Sequence, residues 1–180
     1  MRIILTLFIL LTIFSCGQTG NRIKENKETI ETKFDSIFVD TASIAIIPFD
    51  ATYSWLFEKA QPTDLNMEEL KLIEKIVMDC VSKYNPEQKK QFEEISNKHP
   101  NENFRLNDFV IELNRYKRQY IPVINDKGEK EIWINCFCDT WNTDWKKEII
   151  EVMDGGNCYF QMRINLTEKK YFDFMVNGVA

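Results

Sequence analysis

The residues able to do chemistry in this 180-residue chain are few: five cysteines, one histidine and scattered carboxylates. Cys136 and Cys138 form a Cys-x-Cys pair, with Cys80 upstream and Cys158 downstream. A tetrathiolate zinc site needs paired cysteine knuckles on turns, which this spacing lacks, so no metal is expected. A thiol oxidoreductase needs an exposed, low-pKa cysteine, usually at a helix N-terminus, and a mid-strand pair fits poorly. Residues two apart on a strand lie about 6.5 to 7 Å apart, too far for Cys136 and Cys138 to bond each other. What remains open is one disulfide joining Cys136 or Cys138 to Cys158 or Cys80, or unpaired core thiols.

His99 follows a Lys/Glu-rich segment in a Pro-Asn loop, where an isolated imidazole reads as a bystander. Among the carboxylates, Glu131, Glu148 and Glu151 fall on expected strands whose outward face would hold them anyway. There is no Gly-rich phosphate loop, no Gly-x-Ser-x-Gly and no HExxH. No catalytic residue and no cofactor is therefore assigned, and a small envelope hydrolase or thiol-redox accessory stands as the alternative to a binding module. Exposed aromatics beside polar groups point instead to binding. Trp141 and Trp145 flank a loop with Asp139, Asn142 and Asp144, and Tyr159 and Arg163 share an outward strand face with Trp133. Such a surface could stack on a glycan or a peptide.

The N-terminus sets the compartment. Arg2 precedes an apolar run, Ile3 to Phe14, too short to span a bilayer. Basic start, short apolar core and small residue before the cut make residues 1–15 a secretory signal. Leu11-Thr12-Ile13-Phe14-Ser15-Cys16-Gly17 resembles a bacterial lipobox. That resemblance implies cleavage before Cys16 and acylation there with palmitate-class chains; two or more give stable anchoring. Residues 16–40 then read as the lipidated cysteine and a polar tether. Ser36 and Thr41 each follow an aspartate and precede an apolar residue, resembling the O-glycosylation sequon of exported Bacteroidota proteins. Removing the leader takes away Arg2 and leaves 22 basic against 28 acidic residues, a net of −6. With no basic stripe, nucleic acid is not an expected partner. The membrane, a peptide, a glycan or another envelope protein is.

Residues 41–180 must fold as one domain that positions these groups. Lys130 to Cys138 reads as the central strand. Ile132, Ile134, Cys136 and Cys138 share one face, Trp133, Asn135 and Phe137 the other, and both are apolar enough to be covered. Strands are also expected over 43–49, 117–124, 148–153, 158–166 and 171–176, with a tight turn at Asn125 to Gly128. Asn66 and Glu69 form a capping box that opens a helix with Leu70, Ile73, Val77, Cys80, Val81 and Tyr84 as its stripe. Asn85-Pro86 reads as the start of a second helix, to about Asn97. Residues 104–114 are ambiguous. Short connections make the fold α+β: an antiparallel meander of about five strands with two helices packed on one face.

Tyr116-Lys117-Arg118-Gln119-Tyr120, the Trp133 to Cys138 strand, Trp145-Lys146-Lys147, Asp154 to Cys158 and Val176 to Ala180 together resemble a family of small exported Bacteroidota lipoproteins. The likeness runs from about Ile44 onward. It implies an envelope location and a single-domain layout, and brings no activity, cofactor or catalytic residue.

Overall fold

The computed structural model describes residues 37–178; the leader, Cys16, the first part of the tether with Ser36 and the last two residues lie outside it. The elements in chain order are β1 (Ile44–Ile46), β2 (Gln61–Pro62), α1 (Met67–Lys98), β3 (Lys117–Ile124), β4 (Lys130–Phe137), β5 (Tyr159–Asn165) and β6 (Lys170–Val176). The fold is α+β. Strands β3, β4, β5 and β6 form the expected antiparallel meander. It is extended into a six-stranded mixed sheet by β1, which runs parallel to β3, and by the two-residue β2.

The central strand is where its two apolar faces require. On one face Ile132, Ile134 and Cys136 join Tyr120, Phe160, Met162 and Ile164 beneath the stripe of α1: Leu70, Ile73, Val77, Cys80 and Val81. On the other, Trp133 packs with Ile121, Val123, Ile47, Leu56 and Phe57. Phe137 and Tyr159 pack there with Ala45, Trp145 and Ile150. The β3–β4 turn closes with Gly128 N–H donating to Asn125 O, and Gly128 takes the left-handed φ of +79° that favours glycine.

Three expectations are corrected. The two helices are one of 32 residues, with Pro86 inside it. A proline removes one intrahelical hydrogen bond, and here the helix is held across that gap from outside. Asn85 Nδ2 donates to Ile111 O (2.9 Å) and its Oδ1 accepts from Ile111 N–H (2.8 Å), while Phe92 packs edge-on against Phe109. The capping box at Asn66 and Glu69 is formed as read.

Residues 148–153 are not a strand. Two buried amides claim their backbone first. Gln119 Nε2 donates to the carbonyls of Trp145 and Glu148, and Gln119 Oε1 accepts from Ile150 N–H. Asn135 Nδ2 donates to Ile150 O and to Gln119 Oε1. The segment is thereby gripped by side chains of β3 and β4 instead of by a neighbouring strand, and Glu148 and Glu151 sit on a loop. Finally, Cys138 does not share the helix-facing side with Cys136. β4 ends at Phe137, and Cys138 turns out to bond Cys158.

Candidate functional site

The Cys138–Cys158 disulfide closes the loop between β4 and β5, with Cα atoms 5.2 Å apart. This pairing is among those the sequence left open. Cys138 N–H also donates to Cys158 O at 3.0 Å, so the loop is pinned at its base by two bonds. Among the described residues Cys80 and Cys136 are the free cysteines, both buried in the helix-side core. Burial pushes the Cys80 thiol up to about 11 and the Cys136 thiol higher still, so both stay protonated at neutral pH.

Within the closed loop, Trp141 and Asn142 both adopt left-handed backbone, with φ of +49° and +59°. For bulky residues other than glycine this conformation costs energy and persists only where surroundings impose it. Three contacts do so. Asp139 Oδ1 accepts from Trp141 N–H at 3.0 Å, the disulfide fixes the base, and the Trp141 indole Nε1–H donates to the Tyr159 hydroxyl. Tyr159 is itself buried against Gly155, where an added Cβ would lie 2.6 Å from the Tyr159 ring at a φ of +91°, so only glycine fits. Burial raises the Tyr159 phenol above its ordinary range despite the indole's donation, and it remains a neutral acceptor.

Trp141 is nonetheless 65% exposed. Its ring borders an open groove of about 510 Å³ with Thr143, Ile149, Ile150, Glu151 and Val152. Indole face, isoleucine and valine walls, one hydroxyl and one carboxylate are what a ring-shaped, hydroxyl-bearing ligand would meet there. Nothing in the groove pairs a nucleophile with a base.

The other aromatics expected beside Trp141 are placed elsewhere. Trp145 is 9% exposed, edge-on to Phe137 at 5.9 Å, with Lys117 and Lys146 ammonium groups 5.0 and 5.6 Å from its ring centre. It is part of the core. Trp133 is buried too, under Trp55. Arg163 belongs to a different cluster. It donates to Leu56 O and to Glu131 Oε1 (3.3 Å), and its guanidinium lies 4.9 Å from the Phe57 ring centre. Arg163 thus clips the 54–58 segment to the sheet.

Around Arg163 the sequence reading missed a second feature, a polar cleft of about 480 Å³. Its floor holds Glu131 and Asn165, each 8% exposed, with Asn125 donating toward Glu129 and Glu131, and Asn165 donating to Glu129. The signal available was the run of polar residues Gln161, Arg163 and Asn165 on one face of β5. Asn165, part of an Asn-Leu-Thr triplet, is engaged here.

His99 is the C-cap of α1, exposed, with Nδ1 3.6 Å from Glu102. Thr41 is exposed at a short turn in which Asp40 accepts from Ala42 N–H and the Ser43 hydroxyl, while Ser36 and Cys16 lie outside the described residues. Among the described residues no group of three or more His, Cys, Asp or Glu could hold a metal ion, and no helix is long and apolar enough to cross a membrane. No family model matches this chain, no curated protein matches it in sequence, and no solved structure matches its fold.

Proposed function

We propose that this chain is a lipoprotein of the bacterial cell envelope, held to a membrane through lipid on Cys16, whose domain is a binding module. Trp141 is its principal contact and a glycan its ligand class. The observation that carries the binding role is the fixed exposure of Trp141. A bulky apolar side chain is held open to solvent in a costly backbone conformation, by a disulfide and by a hydrogen bond from its own indole nitrogen. Preorganisation of this kind lowers the entropy lost on binding, and a sugar ring offers both an apolar face for the indole and hydroxyls for Glu151 and Thr143. The anchor rests on the sequence alone: a short apolar leader, a lipobox-like run and a polar tether.

Both parts can be tested on the full chain. Cells grown with labelled palmitate should label the wild type and not Cys16→Ala; label that survives this substitution removes the anchor from the reading. For binding, the detergent-solubilised protein is titrated with soluble cell-wall oligosaccharides and with an unstructured peptide, following tryptophan fluorescence. Saturable quenching by an oligosaccharide, weakened about tenfold or more by Trp141→Ala, is expected. Quenching by the peptide alone would move the ligand class to polypeptide, and no response to either would end the binding assignment at this groove.

A further inference from the structure

A second surface carries charge of the sign opposite to the chain's own. Between α1 and the turn joining β5 to β6 lies a groove of about 470 Å³, lined by Leu72, Lys75, Ile76, Asp79, Lys83, Lys169, Lys170 and Tyr171. Four lysines face one aspartate there, on a chain whose net charge is −5. A concave site lined by one sign focuses its field on a counter-ion, which a scattered set of lysines does not.

The ammonium groups of Lys83 and Lys170 are positioned by neighbours. Lys83 Nζ lies 2.6 Å from Asp79 Oδ2 and 5.8 Å from the centre of the Tyr171 ring, and Lys170 Nζ lies 3.5 Å from Glu168. Exposed ion pairs of this kind contribute little to stability, so an arriving anion displaces them cheaply. A third observation is independent of charge. Lys169 takes a left-handed backbone, with a φ of +57°, in a turn that glycine or asparagine would occupy without strain. The chain keeps a lysine there against its conformational preference, and that lysine lines the groove.

From these observations we infer that the groove between α1 and the β5–β6 turn binds a phosphate-class anion, with Lys83, Lys169 and Lys170 as its ligating cations. Lysine supplies compact point charges, suited to the oxygens of a phosphomonoester or phosphodiester without demanding one orientation. The Tyr171 ring and the apolar walls of Leu72 and Ile76 leave room for an uncharged moiety beside it. Such a group could come from a soluble phosphorylated compound or from a phospholipid headgroup. The inference does not depend on the Trp141 groove, which shares none of these residues.

The test uses the full chain in nonionic-detergent micelles. It is titrated calorimetrically with inorganic pyrophosphate, and in parallel with micelles doped with phosphatidylglycerol. Binding is expected to at least one probe, to weaken as salt is raised, and to fall fivefold or more in both Lys83→Glu and Lys169→Gly. The glycine variant relieves the strained turn, so its melting temperature should not drop, and its loss of affinity is then not a loss of fold. Lys127→Glu, in the β3–β4 turn outside the groove, should bind like the wild type. A response to pyrophosphate assigns the site to free phosphates, and a response to the doped micelles alone assigns it to headgroups. Binding to neither probe, or binding that Lys83→Glu and Lys169→Gly leave intact, overturns the inference.

Discussion

Trp141 and Trp145 show how four residues of separation can divide one residue type between two jobs. Trp145 has Phe137 at its edge and two lysine ammonium groups over its ring, so its indole is a wall of the second-face core. Trp141 touches the protein through its backbone N–H and its indole nitrogen, and leaves its ring open. The two truncations should therefore part company in chemical denaturation. Trp145→Ala is expected to cost about 3 kcal/mol, the usual range for emptying an aromatic core site. Trp141→Ala should cost no more than about 1 kcal/mol, the worth of the hydrogen bond it gives Tyr159. Equal losses in the two variants would place Trp141 in the core and remove its role as a contact.

At the scale of elements, the strongest periodic signals were legible in the sequence and the side-chain-directed ones were not. The stripe of α1, the alternation of β4 and β5 and the capping box all follow from local spacing, and apart from Cys138 past the end of β4 each sits where it reads. What spacing could not convey is that Gln119 and Asn135, polar residues on apolar strands, spend their amides on the backbone of 145–150 and so take it out of the sheet. Nor does local spacing say that Asn85, about one helical turn beyond Val81 of the stripe, reaches Ile111 and carries the helix past Pro86. The site was half legible for the same reason: Trp141 and Tyr159 meet through a hydrogen bond, while Trp145 and Arg163 are drawn off by partners distant in sequence.

The first turn of α1 makes the stability of the fold depend on pH. Burial works to raise the Glu69 carboxyl, but the hydrogen bond from Lys130, the Asn66 N–H and the Lys130 charge together hold it below its ordinary value. Lys130 Nζ lies 2.6 Å from Glu69 Oε1 and also donates to Asp64 O, tying the helix start to β4. A carboxyl lowered by folding adds stability above its unfolded value, and that stability is lost as pH falls through the folded one. The expected result is an acid limb, below about pH 4.3, in the melting temperature of the wild type. Lys130→Met should lower the neutral-pH melting temperature and flatten that limb. An unchanged limb in the variant would mean other carboxylates set it.

The described residues form a sheet covered twice, by one helix on one face and by irregular chain on the other. The helix side is closed mainly by a continuous apolar stripe, with the Tyr120 hydroxyl donating to buried Glu74 and Lys130 pairing with Glu69 beside it. The irregular side has no such period, and its two covers are fastened by specific bonds: Arg163 to the 54–58 segment, and Gln119, Asn135 and Cys138–Cys158 to the β4–β5 loop. The disulfide spans a sequence separation of 20, and removing a cross-link of that length costs about 3 kcal/mol, chiefly by freeing the unfolded chain. Its loss should also be unevenly felt. The Cys138→Ser/Cys158→Ser double variant is expected to lose about 3 kcal/mol in chemical denaturation. Its amide exchange should accelerate first over 139–157, with the protection of α1 falling only as global stability falls. Cys80 and Cys136, buried together on the opposite face, should stay unlabelled by iodoacetamide in the folded variant. Acceleration that starts in α1 instead would show that the two covers melt as one unit, and that the loop bearing Trp141 is not held independently of the helix-side core.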